Sequence, residues 1–344
     1  MRPIARDAFG FVAGHSMQAS STKRIATAER RFAWHYENIL AEANTCFLRG
    51  HDNVLRGLKV FECELANIRR GQSWTAQHRS TDRVAAQLCR NYALRGGSVV
   101  HIRLPPTERI RWLEEAVAAC RAFGDRRNET ALLGNLGIAW DQLGEAGKAI
   151  PFHERHLELA RELNDRKGES AALTHLGVAW TNLGQPRKAI PFHEQALTIA
   201  REIRHQRWEA SGLSNLGWAW NTLGEVRKAI SCYDQALTLA KGLGDRHGEG
   251  LTRMHLGIAW AKLRNLSQAV SFLEGALAIA RDIGDRRTES SALGNLACAY
   301  RSLGDLRKAM TLHEQQLEID RDIGDRRGEG TGTCLAPWQQ HGSR

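Results

Sequence analysis

The chain has 344 residues, of which 42% are hydrophobic and 25% are charged, values typical of globular proteins that bury a core. Its net charge of +10 is unevenly distributed, because residues 1–120 hold 18 Lys and Arg against 11 Asp and Glu and the remainder holds 30 against 27. Seven cysteines without a CxxC pair argue against a disulfide framework and a structural zinc site, and no segment approaches the roughly 20 apolar residues of a membrane span.

The first third of the chain predicts irregular helices. Residues 1–21 show little periodicity, and we expect a disordered lead-in there. Residues 22–120 carry apolar side chains at helical spacing, and breaks at Gly96-Gly97 and Pro105-Pro106 divide them. The resulting predicted helices cover 22–48, 51–70, 80–94 and 108–123. We interpret this basic region as degenerate helical hairpins that lead into a regular array.

From residue 121 the chain repeats itself every 40 residues. Tetrads similar to GDRR begin at positions 124, 164, 204, 244, 284 and 324. Such a period is typical of helical repeat proteins, in which stacking of neighbouring units buries the core. We therefore predict five 40-residue units over 121–323.

Each unit contains two predicted antiparallel helices. The first helix repeats Leu, Leu, Gly and Trp at fixed positions and ends at a glycine in four copies, whereas Arg264 replaces that glycine in the fourth. The second helix ends in a basic residue, and the Asp of each GDRR-like tetrad is placed to cap the next helix. Pro151 and Pro191 are expected near the first turn of this second helix, where a missing N–H costs little.

The pattern resembles the tetratricopeptide repeat. The signature positions of the first copy are Leu136, Gly137, Trp140, Ala149, Phe152 and Leu157. The chain departs from the family in its 40-residue unit, in the replacement of the closing proline by Arg161 and its copies, and in His156 and Gln316 where a small residue is usual. These departures are similar to the long-helix subclass of Pins-type G-protein signalling modulators, kinesin light chains and many bacterial arrays. The resemblance implies an all-α, right-handed superhelical solenoid of antiparallel helix pairs.

The repeat pattern fails after the last tetrad. Residues 324–344 contain Pro337 and several glycines and lack a capping helix. We expect an incomplete repeat or a disordered tail, and we interpret the chain either as ending in an exposed edge or as part of a longer protein.

The resemblance also implies a binding surface, because this family holds partners in a concave groove lined by the first helices. Asn recurs at one position of that groove and His replaces it in two copies, and an amide can bind the main chain of an extended peptide. The candidate partner-binding residues are Asn135, His175, Asn215, Trp218, Asn221, His255, Asn295 and Arg301. The alternative is that these side chains bond local backbone and that Trp218 packs against the adjacent helix.

No catalytic, cofactor or metal motif is evident. The Gly147-Lys148 pair lacks a phosphate-loop context. His153 and His156 are three residues apart, but packing is favoured over metal binding because further ligands are lacking.

The sequence therefore predicts a cytoplasmic, non-catalytic scaffold that binds a protein or peptide, with no cofactor and no membrane partner. One alternative is the sensor region of a bacterial signalling ATPase or transcription regulator whose catalytic domain lies outside this chain. Nucleic-acid binding by the basic first third is a further alternative, and we do not favour it because the basic residues are interspersed with acidic ones. The partner, the pathway and the oligomeric state are not encoded in any motif.

Overall fold

A computed structural model describes the backbone of residues 7–50 and 52–323, and the side chains of residues 26–50 and 53–323. This part of the chain contains 15 α-helices and no strand. Contacts divide the chain into two compact units, Met1–Gly168 and Glu169–Arg344. The helices are α1 (Asp7–Leu48), α2 (Asp52–His78), α3 (Arg83–Arg95), α4 (Gly97–Arg103), α5 (Pro106–Ala122), α6 (Arg126–Gln142), α7 (Ala146–Glu162), α8 (Arg166–Asn182), α9 (Pro186–Glu202), α10 (Gln206–Leu223), α11 (Val226–Gly242), α12 (Arg246–Lys262), α13 (Leu266–Asp282), α14 (Arg286–Leu303) and α15 (Leu306–Ile323).

In the first unit the irregular helices form the predicted kind of pairs. Helix α1 packs along α2, and α3 packs along α5. Their shared core is apolar: Leu40, Ala43, Phe61, Ile68, Tyr92, Val99, Val100, Leu104 and Trp112. The hydroxyl of Tyr92 donates to the Ala33 carbonyl at 2.8 Å, so this buried hydroxyl group has a hydrogen-bond partner.

The structure differs most from the sequence prediction at the start of α1, at the end of α2 and in the presence of α4. Helix α1 begins at Asp7 and so includes residues expected in the disordered lead-in. Helix α2 continues to His78, eight residues beyond the predicted end, because Trp74 is buried against α3. Helix α4 was not predicted at all.

Helix α4 turns the chain between α3 and α5. Helix α3 ends at Arg95 with Gly96 as its C-terminal cap, as the glycine pair predicted, but helical structure resumes at the next residue. Gly97 adopts a φ of 35°, and a new short helix begins there. The side-chain oxygen of Asn44, from α1, accepts the Val99 N–H at 3.2 Å and so satisfies one free donor at the start of α4. Val99 and Val100 then bury against the core of this unit, which holds the short helix in place.

Helix α5 behaves as the second helix of an incomplete repeat. It ends in Arg121, whose Nε donates to Glu129 of the next helix at 2.6 Å. The same pairing recurs eighty residues later in the second unit, between Arg201 and Glu209 at 2.7 Å. Helix α5 therefore occupies the place of a repeat's second helix, directly before the regular array.

In four of the five repeats, the close approach of the two helices depends on a glycine of the first helix. A Cβ at Gly177 would overlap the ring of His193, and one at Gly217 would lie 2.6 Å from Tyr233. His193 and Tyr233 are therefore fully buried against helix backbone. In the fifth copy Ala297 replaces the glycine, and His313 is correspondingly only half-buried.

The GDRR-like tetrads that begin between 124 and 284, which the structure describes, form turns, as predicted. Gly244 and Gly284 take left-handed conformations with φ of 64° and 70°. The Asp that follows caps the next helix, since Asp245 accepts the Gly248 N–H and Asp285 accepts the Thr288 N–H, each at 3.0 Å.

Three turns place a bulkier residue in the left-handed region: Asn164, Arg204 and Arg264, with φ of 54°, 54° and 63°. A side chain with a Cβ is strained there by about 1–2 kcal/mol. The expectation that Arg264 would be unfavourable agrees with its positive φ.

Substituting Arg204→Gly should therefore stabilise the second unit by about 0.5–1 kcal/mol, because relief of strain exceeds the entropy that a glycine adds to the unfolded chain. Urea unfolding would measure the change. The reciprocal Gly284→Arg substitution, at the equivalent turn, should destabilise by a similar amount. Equal stability of both variants and the native chain would contradict this assignment of strain.

The positions of two prolines differ from the prediction. Helices α7 and α9 begin at Ala146 and Pro186, so Pro151 and Pro191 lie in the second turn and not in or next to the first. Each removes one hydrogen bond from its helix. Both prolines are exposed, so water can reach the carbonyl that loses its partner.

No helix among the described residues is long and apolar enough to span a bilayer. The predictions for residues 324–344 lie outside the part of the chain that the structure describes.

Candidate functional site

The candidate surface lies on the first helices of the second unit. We call it the first-helix face and define it by His175, Asn215, Trp218, Asn221, His255, Asn295 and Arg301. Helix α12 contacts both α10 and α14, so these helices are neighbours. Ser214 and Thr252 share a hydrogen bond of 3.2 Å between α10 and α12, which fixes their register.

Helix α10 supplies the centre of the first-helix face. Asn215 and Trp218 are each half-buried, so part of each side chain reaches solvent. Asn221 differs, because it is only 7% exposed and its Oδ1 has no hydrogen-bond partner among the described residues. The backbone carbonyl oxygen of Asn221 accepts a hydrogen bond from Nζ of Lys262 at 3.0 Å. Asn215 and Trp218 are thus available to a partner, whereas Asn221 is built into the helix contact.

The histidines at the Asn position are packed side chains. His255 lies beside Tyr233, with ring centroids 5.4 Å apart. Burial lowers the pKa of His255 to about 4, so the ring is neutral at physiological pH. His175, in α8, is half-buried. The His255 ring can offer a partner apolar edges and neutral nitrogens, but it does not provide positive charge.

The C-terminal end of the first-helix face contains Asn295, whose amide bonds its own helix, and Arg301, which is exposed. Nδ2 of Asn295 donates to the Ser291 carbonyl one turn earlier at 2.8 Å, which is the local alternative that the sequence left open. Arg301 is exposed. Of the neighbouring cations, Arg253 pairs with Glu249 at 3.0 Å, and Lys262 bonds the backbone carbonyl of Asn221.

Asn135 belongs to the first unit and lies at the rim of a pocket. It is exposed and lines a cavity together with α4 and α5. This cavity could not be predicted from the sequence, because α4 was not predicted.

The repeated histidines of the second helices serve packing. His153 is fully buried, and its Nε2 lies 3.0 Å from Oδ2 of Asp141. His156 packs on Gly134, and burial is the main cause that lowers its pKa to about 4. Burial likewise lowers the pKa of His193 to about 4. Buried rings at these positions fit the packing role that the sequence favoured.

One repeated interaction was missed from sequence. Lysines of the second helices lie over aromatic rings of the first, with Nζ 4.4 Å from the Trp180 centroid for Lys188 and 4.5 Å from the Trp220 centroid for Lys228. Such contacts contribute about 0.5–1 kcal/mol at exposed sites. The available signal was the recurrence of Lys eight residues after the aromatic residue in four of the five copies.

Comparison with known proteins agrees with this architecture. Residues 132–167, 168–242 and 248–322 match the tetratricopeptide repeat, and such repeats generally mediate protein–protein interaction. No curated protein matches the chain.

Solved structures show the same fold at low sequence identity. The apo form of RapI is 13% identical with a TM-score of 0.64, and the match covers 84% of this chain and 99% of RapI. BtubC from P. vanneervenii is 22% identical with a TM-score of 0.55, over 64% of this chain and 93% of BtubC. A signal transduction ATPase with numerous domains, which has a tetratricopeptide repeat sensor and comes from Pyrococcus horikoshii, is 18% identical with a TM-score of 0.57. That match covers 88% of this chain but only 48% of the ATPase. The matched repeats, the paired helices and the glycine-mediated packing together establish that this chain belongs to the tetratricopeptide repeat family.

Proposed function

We propose that the chain is a non-catalytic scaffold that binds a segment of a partner protein on the first-helix face of its second unit. The observation that carries the proposal is the pair Asn215 and Trp218, one turn apart on α10 and both partly open to solvent. An amide offers a donor and an acceptor to a peptide backbone, and a Trp beside it supplies apolar area for a side chain.

The partner segment should be neutral or mildly acidic at its contact with α14. Arg301 supplies exposed positive charge there, whereas His255 is neutral and Lys262 and Arg253 are engaged within the chain. A single exposed cation favours one acidic side chain in the partner over an acidic run.

Photocrosslinking of the full chain tests where the partner binds. A photoreactive phenylalanine analogue replacing Trp218 should capture a discrete partner in cells. The same analogue at Gln235, an exposed position on the second helix α11, is the matched control and should not capture it. Capture from Gln235 but not from Trp218 would refute the proposed face.

A second candidate function is a sensor region for a signalling ATPase. It is supported by the similarity of fold to the Pyrococcus horikoshii protein, whose tetratricopeptide repeats are described as a sensor. The test is the surrounding reading frame, because this function requires an ATPase domain with a phosphate loop joined to these repeats or encoded beside them. Absence of any such domain would exclude it.

A further inference from the structure

A pocket of about 460 Å³ lies within the first unit, where α4 meets α1, α3, α5 and α6. Its volume is in the range of small-molecule sites. The walls are mainly apolar and include Phe47, Leu94, Val100, Trp112, Leu113 and Ile138. Its polar atoms are few, which gives each of them a large influence on what can bind.

One of these polar groups is a buried cation. Arg109, on α5, is only 9% exposed and lines the pocket. Its Nη2 donates to Oε1 of Gln142 at 2.6 Å, and its Nη1 donates to Nδ1 of His101. The Gln142 amide carries no charge. Burial and the neighbouring Arg109 lower the pKa of His101, which favours its neutral form.

No carboxylate balances this guanidinium. Neither Asp nor Glu is among the described residues that line the pocket, and no ion pair involving Arg109 is found in the described part of the chain. Burial lowers the pKa of Arg109, but an arginine remains protonated in proteins. The pocket therefore holds a positive charge that has lost water without gaining a counter-charge, which is an unfavourable arrangement.

Two other arginines of the same unit are paired with carboxylates. Arg69 makes two hydrogen bonds to Glu108, at 2.8 and 2.6 Å, and Arg90 lies 2.7 Å from Asp125. Both of these arginines are more exposed than Arg109. The least hydrated of the three guanidinium groups is thus the one without an acidic partner, and an anionic ligand would supply what the chain does not.

We propose that this pocket binds a small carboxylate with an apolar body, the carboxylate on Arg109 and the body against the α4 and α5 walls. A monoanion matches the single buried cation, and the planar guanidinium suits a carboxylate. The amide of Asn135 and the hydroxyl of Ser98 line the same cavity and can donate to the second carboxylate oxygen. The shared chemistry can come from a free organic acid or from the C-terminus of a peptide.

Calorimetric titration of the full chain tests the proposal without any variant. The probes are 3-phenylpropionate and its neutral amide, followed by a short peptide ending in phenylalanine with a free or an amidated C-terminus. We expect saturable binding of a carboxylate with a dissociation constant on the order of 1 mM or tighter. Its neutral amide should bind about tenfold or more weakly, because it loses the charge-assisted bond.

The two arms distinguish the source of the carboxylate. Binding of the free acid supports a small-molecule ligand, and binding of the peptide acid alone supports a peptide terminus. Equal binding of acid and amide, or no saturable binding of either acid, overturns the proposal.

A matched pair of variants then locates the site. Arg109→Gln should weaken carboxylate binding about 10- to 100-fold, equivalent to the loss of one hydrogen bond to a charged group. Arg111→Gln makes the same chemical change two residues away on α5, at an exposed position outside the pocket, and should leave binding unchanged. Equal affinity for both variants would contradict the role of Arg109. This site is independent of the first-helix face, so its failure would leave the proposed function intact.

Discussion

Substituting Gly177→Ala should lower the free energy of unfolding of the second unit by about 2 kcal/mol. A methyl group there overlaps the ring of His193, which is fully buried. Overpacking of this kind costs about 1–3 kcal/mol. The gain of about 1 kcal/mol that alanine normally brings to a helix offsets only part of it.

The matched control is Gly147→Ala in the first turns of α7. An added Cβ at Gly147 meets no atom within 4 Å, so this substitution should stabilise the chain by up to about 1 kcal/mol. Urea unfolding of both variants gives the comparison. If the clash with the ring is the cause, adding His193→Ala should make Gly177→Ala less damaging than it is alone. Additive effects of the two substitutions would argue against direct contact as the cause.

Acidification should destabilise both units through their buried histidines. His156 and His193 have pKa values of about 4 in the folded chain, mainly because of burial, against about 6.5 in the unfolded chain. Between these values the unfolded chain binds more protons than the folded chain. Stability is therefore complete above about pH 6.5 and is lost as the pH falls towards 4. Lowering the pH from 7.5 to 5.0 should cost about 2 kcal/mol per histidine.

The substitution His193→Tyr tests the assignment. Tyrosine occupies the equivalent position in the next copy, as Tyr233, so the repeat accommodates it. Urea unfolding of the variant at pH 7.5 and pH 5.0 should show a smaller loss of stability than in the native chain, by about 2 kcal/mol. An unchanged pH dependence would show that His193 is not the group that titrates.

The regular half of the chain was predictable because its sequence repeats the same physical solution. Glycine at four of the five first-helix contacts, glycine at most of the turns and aspartate at four of the five first-helix caps recur at fixed spacing, so the sequence shows them. Even the departure at Arg264 was readable, because four other copies carry glycine there. The prolines were expected near the first turn of their helices and lie in the second, since repetition gives the period more sharply than the first residue of a helix.

The first unit was less predictable because its contacts do not recur. Helix α4 spans only Gly97–Arg103, between two glycines and two prolines, and a stretch that short carries no measurable period. The burial of Arg109 follows from α4, so the sequence presents it as an ordinary surface arginine. The pocket beside Asn135 could not be found without the packing of α1, α3, α4 and α5.

The candidate binding residues differ in whether neighbouring side chains leave them accessible, which the repeat pattern does not show. Asn215 and Asn295 occupy equivalent positions, yet only Asn295 bonds the carbonyl one turn earlier, that of Ser291. Asn221 resembles an accessible amide in sequence but is buried by its neighbours. Position in the repeat indicates which face a residue lies on, whereas its availability depends on side chains from adjacent helices.

The most direct test of the account is the affinity of the full chain for the partner captured through position 218. If the partner binds the first-helix face, Asn215→Ala and Trp218→Ala should each weaken binding about tenfold or more. Gln235→Ala, which removes an exposed amide from the second helix α11, should leave the affinity unchanged. Unchanged affinity in both first-helix variants, or an equal loss in all three, would contradict the conclusion that the first-helix face binds the partner.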